Sequence, residues 1–554
     1  MPKLTIDGRE CSWEGKKSIL QVALDNQVPI PHYCYHPGMS VVASCRICLA
    51  EVAAPNPRNE GKVELIPKLV PTCQTPAAEG MEIHLADSPK TVQNQKAVME
   101  MLLINHPLDC PVCDQAGECS LQDYSYQYGR STSRFEEAKI KQPKKDLGPN
   151  VLLYSDRCIM CSRCVRFTRE VTQTNELGIF GRGSNEQIDV FPGRPLDNEL
   201  SGNVIDICPV GALLDKDFLM SMRVWNLTKT PSIDGITASG DNLSVEHNDG
   251  KIYRLKPRTN ADVNQWWTSD EIRYGWKFVH HADRLRMPQI KSQNDHDKQN
   301  WNAAYAHIKT QLEAAVQNQA GSKNKSSLLL IVSPMLATEE AALLAQLARG
   351  IDAKATLAVG PVPTTGQDKT FPGGYTVYAE KAPNARGVRA ALAAVVGDDK
   401  AVLSYDDIEK KLDGFTALLV TGNYPSDWAP KALVDAVSNA TVFSVVIDTL
   451  PSALTQGADV LLPGATWLEK SGSFTNANNR AQHFEQAIAV IEQAKPEGQI
   501  ALDLMAVLNL TERRRYDAAH ERANLIDLGG AFASDTHLPA ASEVKTSDVQ
   551  YVTL

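Results

Sequence analysis

At 554 residues the chain exceeds what one compact core holds, so two to four domains are expected; 43% hydrophobic and 22% charged residues exclude a disordered or fibrous protein. The formal net charge of -10 excludes a basic face able to hold nucleic acid or anionic lipid by bulk electrostatics. No apolar run approaches the roughly 18 to 20 residues that cross a bilayer, so any membrane role is expected to be peripheral.

The opening Met-Pro-Lys-Leu-Thr-Ile-Asp-Gly runs directly into a strand-like pattern, with no secretory or transit-type segment, so export is not expected. Residues 1–85 alternate short strands (Lys3 to Ile6, Val63 to Ile66, Met81 to Leu85) with one helix around Ser18 to Asn26, which reads as a small β-rich domain. Residues 86–148 begin with helical spacing of Val92, Val98, Met101 and Leu102, pass through cysteine-rich loops and end in a Lys-rich stretch, Lys139 to Lys145, read as a solvated connection. Residues 149–218 carry a further cysteine pattern. Residues 219–285 read as a β-rich connector with a turn at Asn248-Asp249-Gly250 and a packed aromatic group of Trp266, Trp267, Tyr274 and Trp276. From 286 to 554, buried-strand runs at Leu328 to Val332, Ala417 to Val420 and Val442 to Ile447 alternate with helices such as Glu339 to Arg349, the pattern of an α/β domain with a largely parallel sheet. Asn318 to Ser327 reads as a surface loop, and the tail after Gly529 lacks periodicity.

All twelve cysteines fall within the first 208 residues, in short-spaced groups. In a long chain without a secretion signal, that grouping favours metal ligation over disulfides. The first set is Cys34, Cys45, Cys48 and Cys73, spaced C-x10-C-x2-C-x24-C. Like the plant-type 2Fe-2S pattern it has a close pair, one earlier cysteine and one distant cysteine, with a longer loop. The second is His106, Cys110, Cys113 and Cys119. Three thiolates hold three irons of a cubane; His106, four residues before Cys110, is the nearest candidate for the fourth position, and spacing alone leaves a Cys3His zinc site open. The third is Cys158, Cys161 and Cys164 with Cys208-Pro209. Bacterial ferredoxins place a fourth cysteine a few residues on; here that position is Thr168, and the distant cysteine before proline takes its place, giving a 4Fe-4S cluster. Cys11 is left over and reads as a small buried residue of the N-terminal hairpin.

Pro31-His-Tyr-Cys34-Tyr-His-Pro, Cys45-Arg-Ile-Cys48, Asn105-His106-Pro-Leu-Asp-Cys110-Pro-Val-Cys113-Asp-Gln-Ala-Gly-Glu-Cys119 and Arg157-Cys158-Ile-Met-Cys161-Ser-Arg-Cys164, in this order, resemble the large iron–sulfur subunit of respiratory complex I, NADH:quinone oxidoreductase. The resemblance implies a β-grasp 2Fe-2S ferredoxin domain, a His106-ligated 4Fe-4S segment and a 4Fe-4S ferredoxin-like segment. These lead into a shortened molybdopterin-oxidoreductase-like α/β domain, carried by Leu328-Leu-Leu-Ile-Val-Ser-Pro and Ala458-Asp-Val-Leu-Leu-Pro-Gly. That domain has no cysteine, so no thiolate-ligated molybdenum is expected. Some members carry another 4Fe-4S site after the third set; without cysteines there, this chain should lack it. The implied task is one-electron relay from an NADH-oxidising flavoprotein towards quinone, among other peripheral-arm subunits. The expected location is the cytoplasmic side of a bacterial inner membrane, as a peripheral subunit. No nicotinamide fingerprint is present; Gly181-Arg-Gly183 lacks the required spacing. Two readings compete: the electron-input module of an NAD-linked hydrogenase or formate dehydrogenase, and a zinc scaffold in which the three sets only staple loops.

Overall fold

The computed structural model describes residues 1–292, 295–317 and 327–527. The segment 318–326 and the tail beyond 527, read above as loop and aperiodic tail, lie outside the described residues. Among the described residues the chain divides into two compact units, the first built from 1–227 with 370–375, the second from 228–369 and 376–527.

The first unit opens with strands β1 (Lys3–Ile6) and β2 (Arg9–Ser12), helix α1 (Ile19–Asp25), and strands β3 (Leu49–Asn56), β4 (Lys62–Leu65), β5 (Val70–Pro71) and β6 (Glu82–His84). The main path of the sheet runs β2-β1-β6-β3-β4, with β1 and β6 parallel and the other neighbours antiparallel, a β-grasp arrangement. Helix α1 starts at Ser18, whose hydroxyl accepts from Gln21 N while the Gln21 side chain accepts from Ser18 N; this reciprocal cap satisfies two otherwise orphaned donors. Its Ile19, Leu20, Val22 and Ala23 are fully buried against Leu4, Ile6, Val52 and Ile83 of the sheet. Cys11, on β2 opposite Leu4, is part of this core and is not near the surface.

Helices α2 (Pro89–Leu103) and α3 (Ser120–Tyr128) follow. The Lys-rich stretch is mostly exposed, as its charge suggested, and is also tied down at its ends. Lys139 Nζ donates to the carbonyls of Leu103 and Ile104 at the carboxyl end of α2, at 2.8 and 2.9 Å, where partial negative charge collects. Lys144–Asp146 forms an edge strand on Val151–Tyr154, and Lys145 pairs with Asp189 at 2.6 Å. A short helix, Arg163–Arg166, runs into one π-helical turn over Phe167–Val171, and Asn203–Ile207 forms the helix before Cys208.

The second unit begins with an antiparallel sheet of Thr228–Ile233, Asn242–Asn248 and Lys251–Pro257. Asp249 and Gly250 both take positive φ, 48° and 72°, as a two-residue hairpin between right-twisted strands requires. Its main sheet runs Val460–Pro463, Phe443–Asp448, Ala417–Thr421, Leu328–Val332, Thr356–Val359, Val402–Leu403, all parallel, with an antiparallel hairpin of Gln289–Ser292 and Asp295–Lys298 on the first edge. Strand Leu328–Val332 sits in the middle and the order reverses beside it, which makes the sheet doubly wound. Its uninterrupted apolar run follows: Leu328, Leu330 and Val332 enter one core while Leu329 and Ile331 enter the other.

Candidate metal centres

The first set is brought together around the loop between α1 and β3. Cys48 Sγ lies 3.5 Å from Cys73 Sγ, and Cys45 is within side-chain contact of both Cys34 and Cys48. Cys34, Cys48 and Cys73 are buried. Ala43 and Arg46 hold positive φ, 50° and 61°, strained settings for residues with a side chain, on either side of Cys45. The backbone N–H of Cys45 acts on the Cys34 thiol and that of Cys73 on Cys48.

The second set lines one cavity, His106, Cys110, Cys113 and Cys119 being joined there by Asp109, Ala116, Gln122, Arg157 and Gly211. Burial, then the nearby Arg157 and Lys139, pushes the His106 imidazole down to about 4, so it is neutral and offers a lone pair. Gly117 at φ 89° turns the Cys113–Cys119 loop; a Cβ there would meet Val224 and Trp225 at 2.9 Å. Cys110 is the one exposed cysteine.

The third set also lines one cavity: Cys158, Cys161, Cys164 and Cys208, closed by Leu153, Ile159, Ile188, Val210, Ala212 and Leu213. Met160 and Ser162 take φ 53° and 61°, flanking Cys161, and Met160 N donates to Cys158 Sγ at 3.4 Å. The backbone N–H groups of Val210, Ala212 and Leu213 act on Cys208, those of Arg163 and Val165 on Cys161 and Cys164. Burial pushes up thiols of the second and third sets, Cys208 to about 11, and Cys48, lowered by Cys45 but raised by Cys73 and then by burial, stands at about 11; bound cations reverse that bias and deprotonate coordinating thiols. Among the described residues no three His, Cys, Asp or Glu side chains converge tightly enough for a single metal ion. In the second and third sets the donors stand around the wall of a cavity, and at the third set backbone N–H groups face the sulfurs, an arrangement that fits a sulfide-containing cluster better than one ion.

Sequence reasoning missed the groups between the sets. The loop after Cys208 belongs to two sites: Pro209 O accepts from Ser120 N at 3.1 Å, and Gly211 sits so close that a Cβ would stand 2.2 Å from Cys113 Sγ. Arg157, buried beside Cys158, reaches the second set, donating to Asp109 at 2.9 Å and to Gly211 O. Tyr33 is within electrostatic reach of both Cys45 and Cys119, packs its ring 5.2 Å from Tyr124 and donates to Met99 Sδ at 3.2 Å. Arg163 and Arg166 donate to carbonyls of the first loop, those of Cys34, Tyr35 and Ser40. The only sequence signal for these groups is adjacency to a ligand, which Arg157 and Arg163 have and Tyr124 and Gly211 lack.

Comparison with known proteins gives matches to several family models. A 2Fe-2S iron-sulfur cluster binding domain matches 2–88, the NADH-ubiquinone oxidoreductase-G iron-sulfur binding region 95–134, and the ferredoxin-like domain of NADH-quinone oxidoreductase subunit 3 148–214. Among relatives, 308 residues are 40% identical to the NADH-ubiquinone oxidoreductase 78 kDa subunit of Neurospora crassa, covering 55% of this chain and 40% of that one. Over its first 300 or so residues the chain is similar to large iron–sulfur subunits of NADH-quinone oxidoreductase. The NADH-ubiquinone oxidoreductase 78 kDa subunit of Candida albicans is likewise 40% identical over 308 residues, covering 55% of this chain and 41% of that one. The iron-sulfur protein 1 of NADH dehydrogenase [ubiquinone] from Solanum tuberosum is 42% identical over 286 residues, covering 52% of this chain and 37% of that one. The matched stretches span less than half the length of these relatives. Two further models fall in the second unit, molybdopterin oxidoreductase at 375–507 and the NDSU1/NuoG-like 4Fe-4S domain at 227–277. The latter stretch, read above as a connector, therefore has a family domain's sequence but contains no cysteine. A chain from a crystal structure of an NAD+-reducing [NiFe]-hydrogenase in the H2-reduced state is 28% identical, over 40% of this chain and 91% of that one, with a TM-score of 0.33.

Proposed function

We propose that the chain is an electron-relay subunit of an NADH:quinone oxidoreductase, holding a 2Fe-2S cluster on Cys34, Cys45, Cys48 and Cys73 and two 4Fe-4S clusters, on His106, Cys110, Cys113 and Cys119 and on Cys158, Cys161, Cys164 and Cys208. The observation that carries it is the gathering of all three donor sets inside one compact unit, linked by shared loops and side chains. When bound, such clusters supply one-electron chemistry at iron and sulfur.

The chain's own residues keep water from most of the sulfurs by burial, aim N–H groups at them and hold His106 neutral. Each of these sets how easily an electron is accepted. Tyr33, Arg157, Arg163 and the Cys208–Gly211 loop occupy the space between sets, so that electrons need not cross bulk solvent. On this reading electrons arrive from an NADH-oxidising flavoprotein and leave towards quinone through other peripheral-arm subunits, with the chain peripheral on the cytoplasmic side of the membrane. No helix among the described residues is long and apolar enough to cross a membrane. The cysteine-free second unit serves as a scaffold, without molybdenum.

Iron, acid-labile sulfide and zinc on anaerobically purified protein, with low-temperature EPR during stepwise reduction, test the proposal. About ten irons per chain and three distinguishable signals are expected. About three zincs without visible absorption overturn it in favour of a zinc scaffold, and about six irons remove one 4Fe-4S assignment.

A further inference from the structure

The short helix Arg163–Arg166 carries two guanidinium groups into the space between the first and third sets. Arg166 is 4% exposed. It donates to Cys34 O, to Ser40 O at 2.5 Å and to Ser162 Oγ at 3.3 Å. Arg163 donates to Tyr35 O and, at 3.2 Å, to Ile207 O beside Cys208, while its buried Nε has no acceptor. All five acceptors are neutral dipoles. The carboxylate acting on Arg166 is Glu170, whose two oxygens are taken by Ser40 N and Oγ at 2.7 and 2.6 Å. Burial lowers the Arg166 guanidinium, while Cys34 and Cys161 act on it electrostatically in the favourable sense.

Burying a cation against carbonyls alone costs several kcal/mol unless a negative charge answers it. Thiolate-ligated clusters carry net negative charge, more of it when reduced, and that charge is among the factors that set their potentials. A fixed positive charge beside such a cluster favours its reduced form.

Building on the relay reading, we propose that Arg163 and Arg166 form a cationic clamp between the first and third cluster sites that raises the reduction potentials of both clusters. No bond is made or broken; each cluster accepts one electron and gives it up again, and the clamp changes only the energy of the reduced form. Holding the Cys34–Ser40 loop against the third set is the accompanying mechanical role.

The test is a redox titration of the full chain followed by low-temperature EPR, in Arg166→Gln, Arg163→Gln, Arg166→Lys and Glu170→Gln. Iron and sulfide in the unaltered protein are measured first: their absence overturns the relay reading itself, and with it the clamp, whereas the variants test the clamp alone. Both Gln replacements of arginine are expected to move the first and third signals to more negative potential by about tenfold or more in the one-electron equilibrium, about 59 mV. The second signal should stay put, and Arg166→Lys should recover most of the shift. Glu170→Gln, which removes a negative charge from the same place, is expected to move the same two signals upward. A purely mechanical joint would not reverse sign between the arginine and glutamate variants. Unchanged potentials in Arg166→Gln at full iron content overturn the clamp; if that variant loses iron, a Glu170→Gln titration without an upward shift overturns it.

Discussion

Replacing Lys470 by Met strikes a deeply buried charge in the second unit. The Lys470 side chain is 1% exposed and its ammonium lies 2.7 Å from Glu340 and 2.5 Å from Glu497, themselves buried. Asn423 Nδ2 donates to the other Glu497 oxygen at 2.6 Å. Removing one member of a buried ion pair costs about 3 to 5 kcal/mol, because the partner charge is left without an answer. In a unit of this size roughly 2 °C accompanies each kcal/mol, so thermal unfolding of that unit should begin about 6 to 10 °C earlier at neutral pH. Burial holds the Glu497 carboxyl well above the ordinary range, opposed by Lys470. A carboxyl with a raised folded-state pKa contributes stability that is fully present below its unfolded pKa and is lost as pH rises. The Met variant loses the opposing cation, so its deficit should shrink towards about pH 5 and grow towards about pH 8. Scanning calorimetry across that range is the assay. A melting point within about 2 °C of the parent at the alkaline end, or a deficit independent of pH, would refute the reasoning; replacing Glu340, Lys470 and Glu497 together by Gln, Met and Gln should recover much of the loss.

Three more outcomes are expected. His106→Ala should lower iron from about ten towards six per chain, whereas His106→Cys should keep it and move the second EPR signal to more negative potential, because thiolate adds a charge that imidazole lacks. Gly211→Ala places a methyl 2.2 Å from Cys113 Sγ, and iron analysis should show about four irons lost from the second site with circular dichroism unchanged. Asp234, buried and accepting from Ile236 N, Thr237 N, Thr237 Oγ1 and Ser239 Oγ, has its carboxyl pushed up to about 6 by burial. As pH rises from about 4 to 6 the parent should therefore lose stability through this group, and Asp234→Asn should flatten that part of the urea-unfolding profile while costing about 1 to 3 kcal/mol at low pH.

The elements that the sequence marked best are those whose pattern is set locally. Lys3–Ile6 and Leu328–Val332 appear with the predicted ends, because a strand buried on one or both faces writes its period directly into the chain. The three groupings of possible ligands were legible for a similar reason: their cysteines stand at fixed short spacings. The structure brings each set together, His106 included. What lies between the sets was not legible. Gly211 is close to Cys113 only through a fold that joins positions nearly a hundred residues apart, and Arg166 reads as one more charged residue until Cys34 O and Ser40 O are seen to receive it. Lys139 and Lys145 have tertiary partners that the charge run did not reveal. A run of lysines looks solvated, and the helix end and the Asp189 carboxylate that tie it down are supplied by other segments.

The Cys208–Gly211 loop also bears on how such a chain is filled during synthesis. With the ligands assigned above, the first set is complete when residue 73 has emerged and the second when residue 119 has, but the third waits for Cys208, 44 residues after Cys164. Because Gly211 lines the second site and Pro209 pins the residue after Cys119, that site reaches its final shape only when the third is closed. On the proposed ligand assignment the second and third donor sets take their final shape together, after residue 211 has emerged, whereas the donors of the β-grasp domain are all present once residue 73 has.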